Sequence, residues 1–135
     1  MYDVRFSHPV MTKEEHYNRL KSFGIRIINM VDCMPNRISA NAIAKQIVRS
    51  ATSPAANYRA ACRGKSDKDF LNKLKIVEEE LDETLHWIEI IQETKMLPPH
   101  RLTDIHRECD ELLRITISSV KTMRAKLNNP YKEMN

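Results

Sequence analysis

Three short interruptions limit what this chain can fold into. Pro35-Asn36, Gly64 and Pro98-Pro99 separate four stretches in which apolar residues return at steps of three and four positions. That spacing gathers them on one side of an α-helix, whereas a half-buried strand would alternate. In the first stretch, about residues 12–34, Tyr17, Leu20, Phe23, Ile27, Met30, Val31 and Met34 share a face. The second, about residues 38–63, carries Ile43, Ile47, Val48 and many alanines, whose small side chains permit close helix contact. Gly64 is expected to stop it through its freedom at positive φ. The third, about residues 66–96, has the longest seam: Phe70, Leu74, Val77, Leu81, Leu85, Ile88 and Ile91. Ser66 suits its N-cap, and Asp67 and Asp69 suit the positive end of its dipole. The fourth, about residues 101–127, presents Leu102, Ile105, Cys109, Leu112, Thr116, Val120, Met123 and Leu127.

With two glycines in 135 residues, the chain has few tight turns to offer a sheet, and charged residues at 30% suit solvated helix faces. The expectation is therefore all-α and a single domain over residues 1–135, with tails at 1–11 and 128–135. Short connections make consecutive helices antiparallel neighbours, which gives an up-down-up-down four-helix bundle. Pro54 conflicts with this pattern, because proline inside a helix lacks a donor and crowds the preceding turn. Ser53 as a cap with Pro54 at the first position predicts a kink or break there.

No apolar run approaches the roughly 20 residues that span a bilayer, and the first residues show no basic region followed by an apolar segment, so a cytoplasmic location is expected. Three widely separated cysteines, Cys33, Cys62 and Cys109, fit neither a disulfide framework nor a zinc site and read as buried thiols. No metal or cofactor is expected. Charge is divided unevenly: residues 1–65 hold 11 Lys/Arg against 4 Asp/Glu, and residues 66–135 hold 11 against 14. A cationic half can face a polyanion, and the anionic half can pair with the cationic half of a neighbouring chain.

The segment Arg49 to Ser66, RSATSPAANYRAACRGKS, joins an apolar stripe, a proline, basic residues and a helix stop. Arg49-Ser50-Ala51, Ser53, Ala55-Ala56-Asn57, Arg63-Gly64-Lys65-Ser66, Phe70 and Glu78-Glu79-Glu80-Leu81-Asp82-Glu83 together resemble the bacterial four-helix-bundle family that includes proteins encoded in intervening sequences of 23S ribosomal RNA genes. The likeness reaches across most of the chain. It departs at Tyr58-Arg59-Ala60-Ala61-Cys62, where many relatives place an acidic residue and a glycine. The resemblance implies an antiparallel bundle that assembles as a ring-like homopentamer, and it brings no catalytic residues. A similar protein, the accessory variability determinant of diversity-generating retroelements, partners a reverse transcriptase and binds nucleic acid through a basic surface.

Lys45, Arg49, Arg59, Arg63 and Lys65 are the candidate phosphate contacts, with Tyr58 placed to stack on a base. Ser50 and Asn57 are expected to satisfy backbone groups freed by Pro54 or to cross to another helix. The expected function is that of a non-enzymatic homo-oligomer that binds RNA or DNA, or assists a nucleic-acid-processing partner such as a reverse transcriptase. A purely protein-binding scaffold is the alternative. An enzymatic alternative comes from Glu79-Glu80-Leu81-Asp82-Glu83 and Glu108-Cys109-Asp110-Glu111, which approach the EExxE and ExxD motifs of Mg-dependent all-α nucleoside triphosphate pyrophosphatases. Glu83 to His86 is an ExxH of the di-iron type without a second copy. Tyr17, Phe23, Phe70 and Trp87 lie on or beside apolar stripes and read as packing anchors.

Overall fold

The computed structural model describes residues 11–129, together with the backbone of two short segments, β1 (Tyr2–Asp3) and β2 (His8–Pro9), which pair antiparallel. Most of the expected first tail, and the second beyond Asn129, lie outside the described residues. The body is all-α with four long helices: α1 (Lys13–Val31), α2 (Ile38–Cys62), α3 (Asp67–Glu93) and α4 (Thr103–Leu127), the last preceded by a 3-10 turn at Pro99–Arg101.

Helix starts follow their local chemistry. Thr12 accepts a hydrogen bond from the Glu15 amide at 3.1 Å, and Ser66 does the same for the Asp69 amide at 3.1 Å, so each satisfies a backbone donor that lacks a partner within its helix. The ends depart from expectation in three places. α1 stops at Val31, and the chain tightens into i to i+3 bonds, with the Cys33 and Met34 amides donating to the Met30 and Val31 carbonyls. α3 stops at Glu93 because Lys95 adopts φ 56°, letting its amide reach the Gln92 carbonyl and the Met96 amide reach the Ile91 carbonyl. This is the left-handed C-terminal stop that glycine usually supplies. Gly64, by contrast, does not take positive φ. Its lack of a side chain is what matters there, since a Cβ would stand 3.1 Å from the Ala61 carbonyl oxygen and 3.2 Å from Asp69 Cβ.

α2 runs unbroken through Pro54, so the expected break does not form. Ser50, Ala51, Pro54, Ala55 and Tyr58 are all buried, and packing on both sides of the proline holds the segment helical against its local cost. Ser50 crosses to another helix as expected, with Thr84 Oγ1 of α3 donating to Ser50 Oγ at 2.9 Å, whereas Asn57 Nδ2 donates one turn back in its own helix to the Ser53 carbonyl at 3.1 Å and not to the Ser50 carbonyl that Pro54 leaves without its amide. Gly24 allows α1 onto this stretch, because a Cβ at that position would lie only 3.0 Å from the Ala51 carbonyl oxygen.

α2 packs most extensively on α3, α3 on α4 and α1 on α2, while α1 and α4 meet over a smaller area. The α1/α2 and α3/α4 pairs run antiparallel by their contacts: His16 near the start of α1 stacks on Tyr58 near the end of α2, and Lys126 at the end of α4 pairs with Asp67 at the start of α3. Leu20, Phe23, Ile27, Ile47, Leu74, Val77, Leu81, Ile88, Ile91 and Leu112 fill the interior. Each such side chain contributes about 1.5–3 kcal/mol by leaving water. Tyr17, Phe70 and Trp87 pack half-buried against this core, as anchors should. No helix among the described residues is long and apolar enough to cross a membrane.

Candidate nucleic-acid interface

α2 is 25 residues long and contains no Asp or Glu. At 100° per residue, Lys45 and Arg63 fall on one line along its exposed side, with Arg49 displaced about 40° to one side and Arg59 about 40° to the other. The line extends for about 27 Å. Exposed Thr52 and Ala56 lie between its ends, and exposed Lys65 belongs to the loop that follows, toward α3. Four of the five expected cations, Lys45, Arg49, Arg59 and Arg63, thus lie within about 40° of one line on the exposed side of α2.

Their electrostatic states differ. Lys45, Arg63 and Lys65 are exposed and have no side-chain partner among the described residues. Arg49 leans toward α3, where Nη1 is 3.0 Å from Glu80 Oε2 and Nη2 pairs closely with Glu83. Burial opposes the guanidinium charge, but the hydrogen bonds to Glu80 and Glu83 outweigh it and hold the group above its ordinary value. Two carboxylates thus neutralise Arg49, although its side chain is 50% exposed. Arg59 leans toward α1, donating from Nη1 to the Tyr17 hydroxyl at 3.2 Å with its guanidinium 5.5 Å from the ring centroid. Lys21 Nζ lies 5.4 Å from the same centroid, so α1 adds a cation beside Arg59.

Tyr58 does not serve as a stacking platform. It is 4% exposed, packed on His16 at 4.4 Å and edge-on to Phe70 at 6.4 Å. Burial first, and then the neighbouring Cys62 thiol, push its phenol above the ordinary range. Its place on the inner side of α2 follows from the i, i+3, i+4 relation to Ala51, Pro54 and Ala55, all of them buried.

The acidic motifs do not converge. Glu80 and Glu83 turn to Arg49 between α2 and α3, and Glu83 also accepts from Trp87 Nε1 at 3.1 Å. Glu108 and Glu111 instead hold Arg19 between α1 and α4, with Arg19 Nη2 2.9 Å from Glu111 Oε2. A metal shared by both carboxylate pairs would need them on one groove. Among the described residues no group of three His, Cys, Asp or Glu side chains is placed to hold a metal ion. Cys109 is buried, Cys62 half-buried and Cys33 exposed, so the expectation of three buried thiols fails at Cys33, which lies just past α1 and receives Arg101 Nη1 at 3.1 Å.

Residues outside the expected set also shape this side of the molecule. Ile25 and Ile28 on α1 are 49% and 39% exposed, and Ile38 at the start of α2 is 92% exposed. Ile25 and Ile28 border a cavity of about 100 Å³ between α1 and α2, over Gly24, Thr52 and Ala55. Their signal lies in the sequence, since neither belongs to the Leu20, Phe23, Ile27 stripe.

Four helices that pack as sequential neighbours, with Lys45, Arg59 and Arg63 on the exposed side of acid-free α2, define a small helical protein with a cationic helix face. The chain belongs to the family of 23S rRNA-intervening sequence proteins, whose family model matches residues 12–118. It is also similar to a solved protein of unknown function of the S23 ribosomal protein family from Bacteroides thetaiotaomicron, with 32% identity and a TM-score of 0.73 over 78% of this chain and 98% of that one. A search of curated proteins found no match.

Proposed function

We propose that this protein is a non-enzymatic, homo-oligomeric nucleic-acid-binding protein, an up-down-up-down bundle that assembles as a ring-like homopentamer and engages RNA or DNA through α2. The observation that carries this reading is the alignment of Lys45, Arg59 and Arg63 along the exposed side of a helix with no acidic residue, with exposed Lys65 in the loop that follows. Such cations contact phosphates and displace condensed counterions, so they supply affinity without base readout. Repetition around a ring multiplies a modest patch through avidity. Arg49 has a lesser part, since Glu80 and Glu83 offset its charge. A nucleic-acid-processing partner, such as a reverse transcriptase, would act on the strand that the ring holds.

The test is titration of the purified chain with structured RNA and with duplex DNA at two ionic strengths. The reading expects binding to both at low salt, weak sequence preference and steep loss at the higher salt. Undetectable binding to both RNA and DNA at low ionic strength overturns it and leaves the protein-binding scaffold as the better account.

A further inference from the structure

The cavity between α1 and α2 adjoins the cationic side of α2, and the two share Thr52. At 100° per residue, Thr52 falls about 20° from the line through Lys45 and Arg63, on the side toward Arg59 and α1. It stands midway between Lys45 and Arg59, about 10 Å along the helix axis from each. A strand laid along these cations therefore passes the mouth of the cavity. The cavity itself is an apolar notch of about 100 Å³, with buried Leu20 and Gly24 beneath it, Ile25 and Ile28 on the α1 side and Ala55 beside Thr52 on the α2 side. Of the three large apolar side chains exposed among the described residues, two, Ile25 and Ile28, border this notch. Thr52 adds no free donor, because its hydroxyl donates to the Val48 carbonyl at 2.7 Å. The one charged residue that lines the notch is Lys21. Tyr17 brings Arg59 to the same edge: Lys21 Nζ and the Arg59 guanidinium stand 5.4 and 5.5 Å from its ring centroid.

An apolar notch flanked by cations matches an anionic backbone that also carries flat, weakly polar faces. A nucleic-acid strand has both only where its bases are unpaired, since a duplex keeps those faces stacked inside. Against a duplex, Ile25 and Ile28 would meet charged backbone and gain nothing. Proteins that hold single strands combine a cationic track with contacts to base faces, which tolerate any sequence. We propose that the α1/α2 notch receives the face of an unpaired base while the flanking phosphates lie on Lys45 and on Arg59 with Lys21, so that the protein prefers single-stranded nucleic acid to duplex. Walls without a free hydrogen-bond donor do not read base edges, in keeping with weak sequence preference. This rests on the cationic α2 surface of the proposed function, keeps that surface exposed, and names the form of nucleic acid it holds.

The experiment titrates the full chain, by fluorescence anisotropy over a range of salt, with a labelled oligothymidylate, an abasic strand with the same number of phosphates, and a duplex of the same length. Wild type should bind the oligothymidylate about tenfold more tightly than the abasic strand, the low end of what one base face contributes. The two salt slopes should be equal, because the phosphates are the same. Binding to the duplex should be weaker than to the oligothymidylate. A chain carrying Ile25→Ser and Ile28→Ser together should lose the preference for bases and keep the slope, with circular dichroism as the check on folding. If that chain unfolds, Thr52→Leu, which fills the notch from the α2 side, should abolish the same preference. Equal binding of base-bearing and abasic strands, or tighter binding of the duplex, overturns the notch and leaves the cationic surface standing. A preference that survives in the folded variants also overturns it, and a changed solution mass in them then assigns the groove to a second copy of the chain. No binding to any of the three overturns both readings.

Discussion

Replacing His16 with phenylalanine should remove a pH dependence that the native fold carries. His16 is 6% exposed, Nε2 is buried with no hydrogen-bond partner, and the ring lies against Tyr58. Burial first, and then the charge of Arg19 one turn along α1, hold the imidazole down to about 4 from 6.5. The unfolded chain therefore takes up a proton near pH 6.5 while the folded chain stays neutral until about pH 4. Stability from this site is complete above pH 6.5 and is lost progressively as pH falls toward 4. At 1.36 kcal/mol per tenfold change in proton affinity, the loss amounts to about 3 kcal/mol. Urea unfolding of wild type and His16→Phe at pH 7, 6, 5 and 4.5 isolates it, because the two chains differ only at position 16. The difference in unfolding free energy should shift toward the variant by about 1 kcal/mol per pH unit below 6.5. A difference that stays constant from pH 7 to 4.5 refutes the reasoning.

Other substitutions test the local claims. Lys95→Gly should raise stability by about 0.5–1 kcal/mol in thermal or urea unfolding, because glycine accepts the positive φ at the end of α3 without a Cβ conflict. Gly24→Val should cost about 1–3 kcal/mol through overpacking of α1 on the α2 backbone at Ala51, read by the same assay. Ser66→Ala should cost about 1 kcal/mol by leaving the Asp69 amide without its acceptor.

The four helices were legible because their apolar periods are long and their interruptions short. Ser66 with Asp67 and Asp69 identified the start of α3 to the residue. The break expected as one outcome at Pro54 does not form, because the penalty is local while buried residues on both sides of the proline hold the segment helical. The end of α3 was placed too late because the left-handed residue is a lysine, which carries no such signal in sequence. At the candidate interface, the spacing of Lys45, Arg49, Arg59 and Arg63 already placed them near one face. What it could not supply was register between helices: Glu80 and Glu83 neutralise Arg49 from 31 and 34 residues away. The same register separates Glu80 and Glu83 from Glu108 and Glu111, which looked like one acidic constellation when read along the chain.

The slope of nucleic-acid affinity against salt is the most direct measure of the α2 surface. Each phosphate contact contributes about 0.9 to that slope on duplex DNA. A chain with Lys45, Arg59, Arg63 and Lys65 all changed to glutamine should bind far more weakly and lose about 3–4 from the slope per engaged α2, with its helical content and solution mass unchanged. A variant that stays folded and assembled and binds with the affinity and slope of wild type would contradict the account.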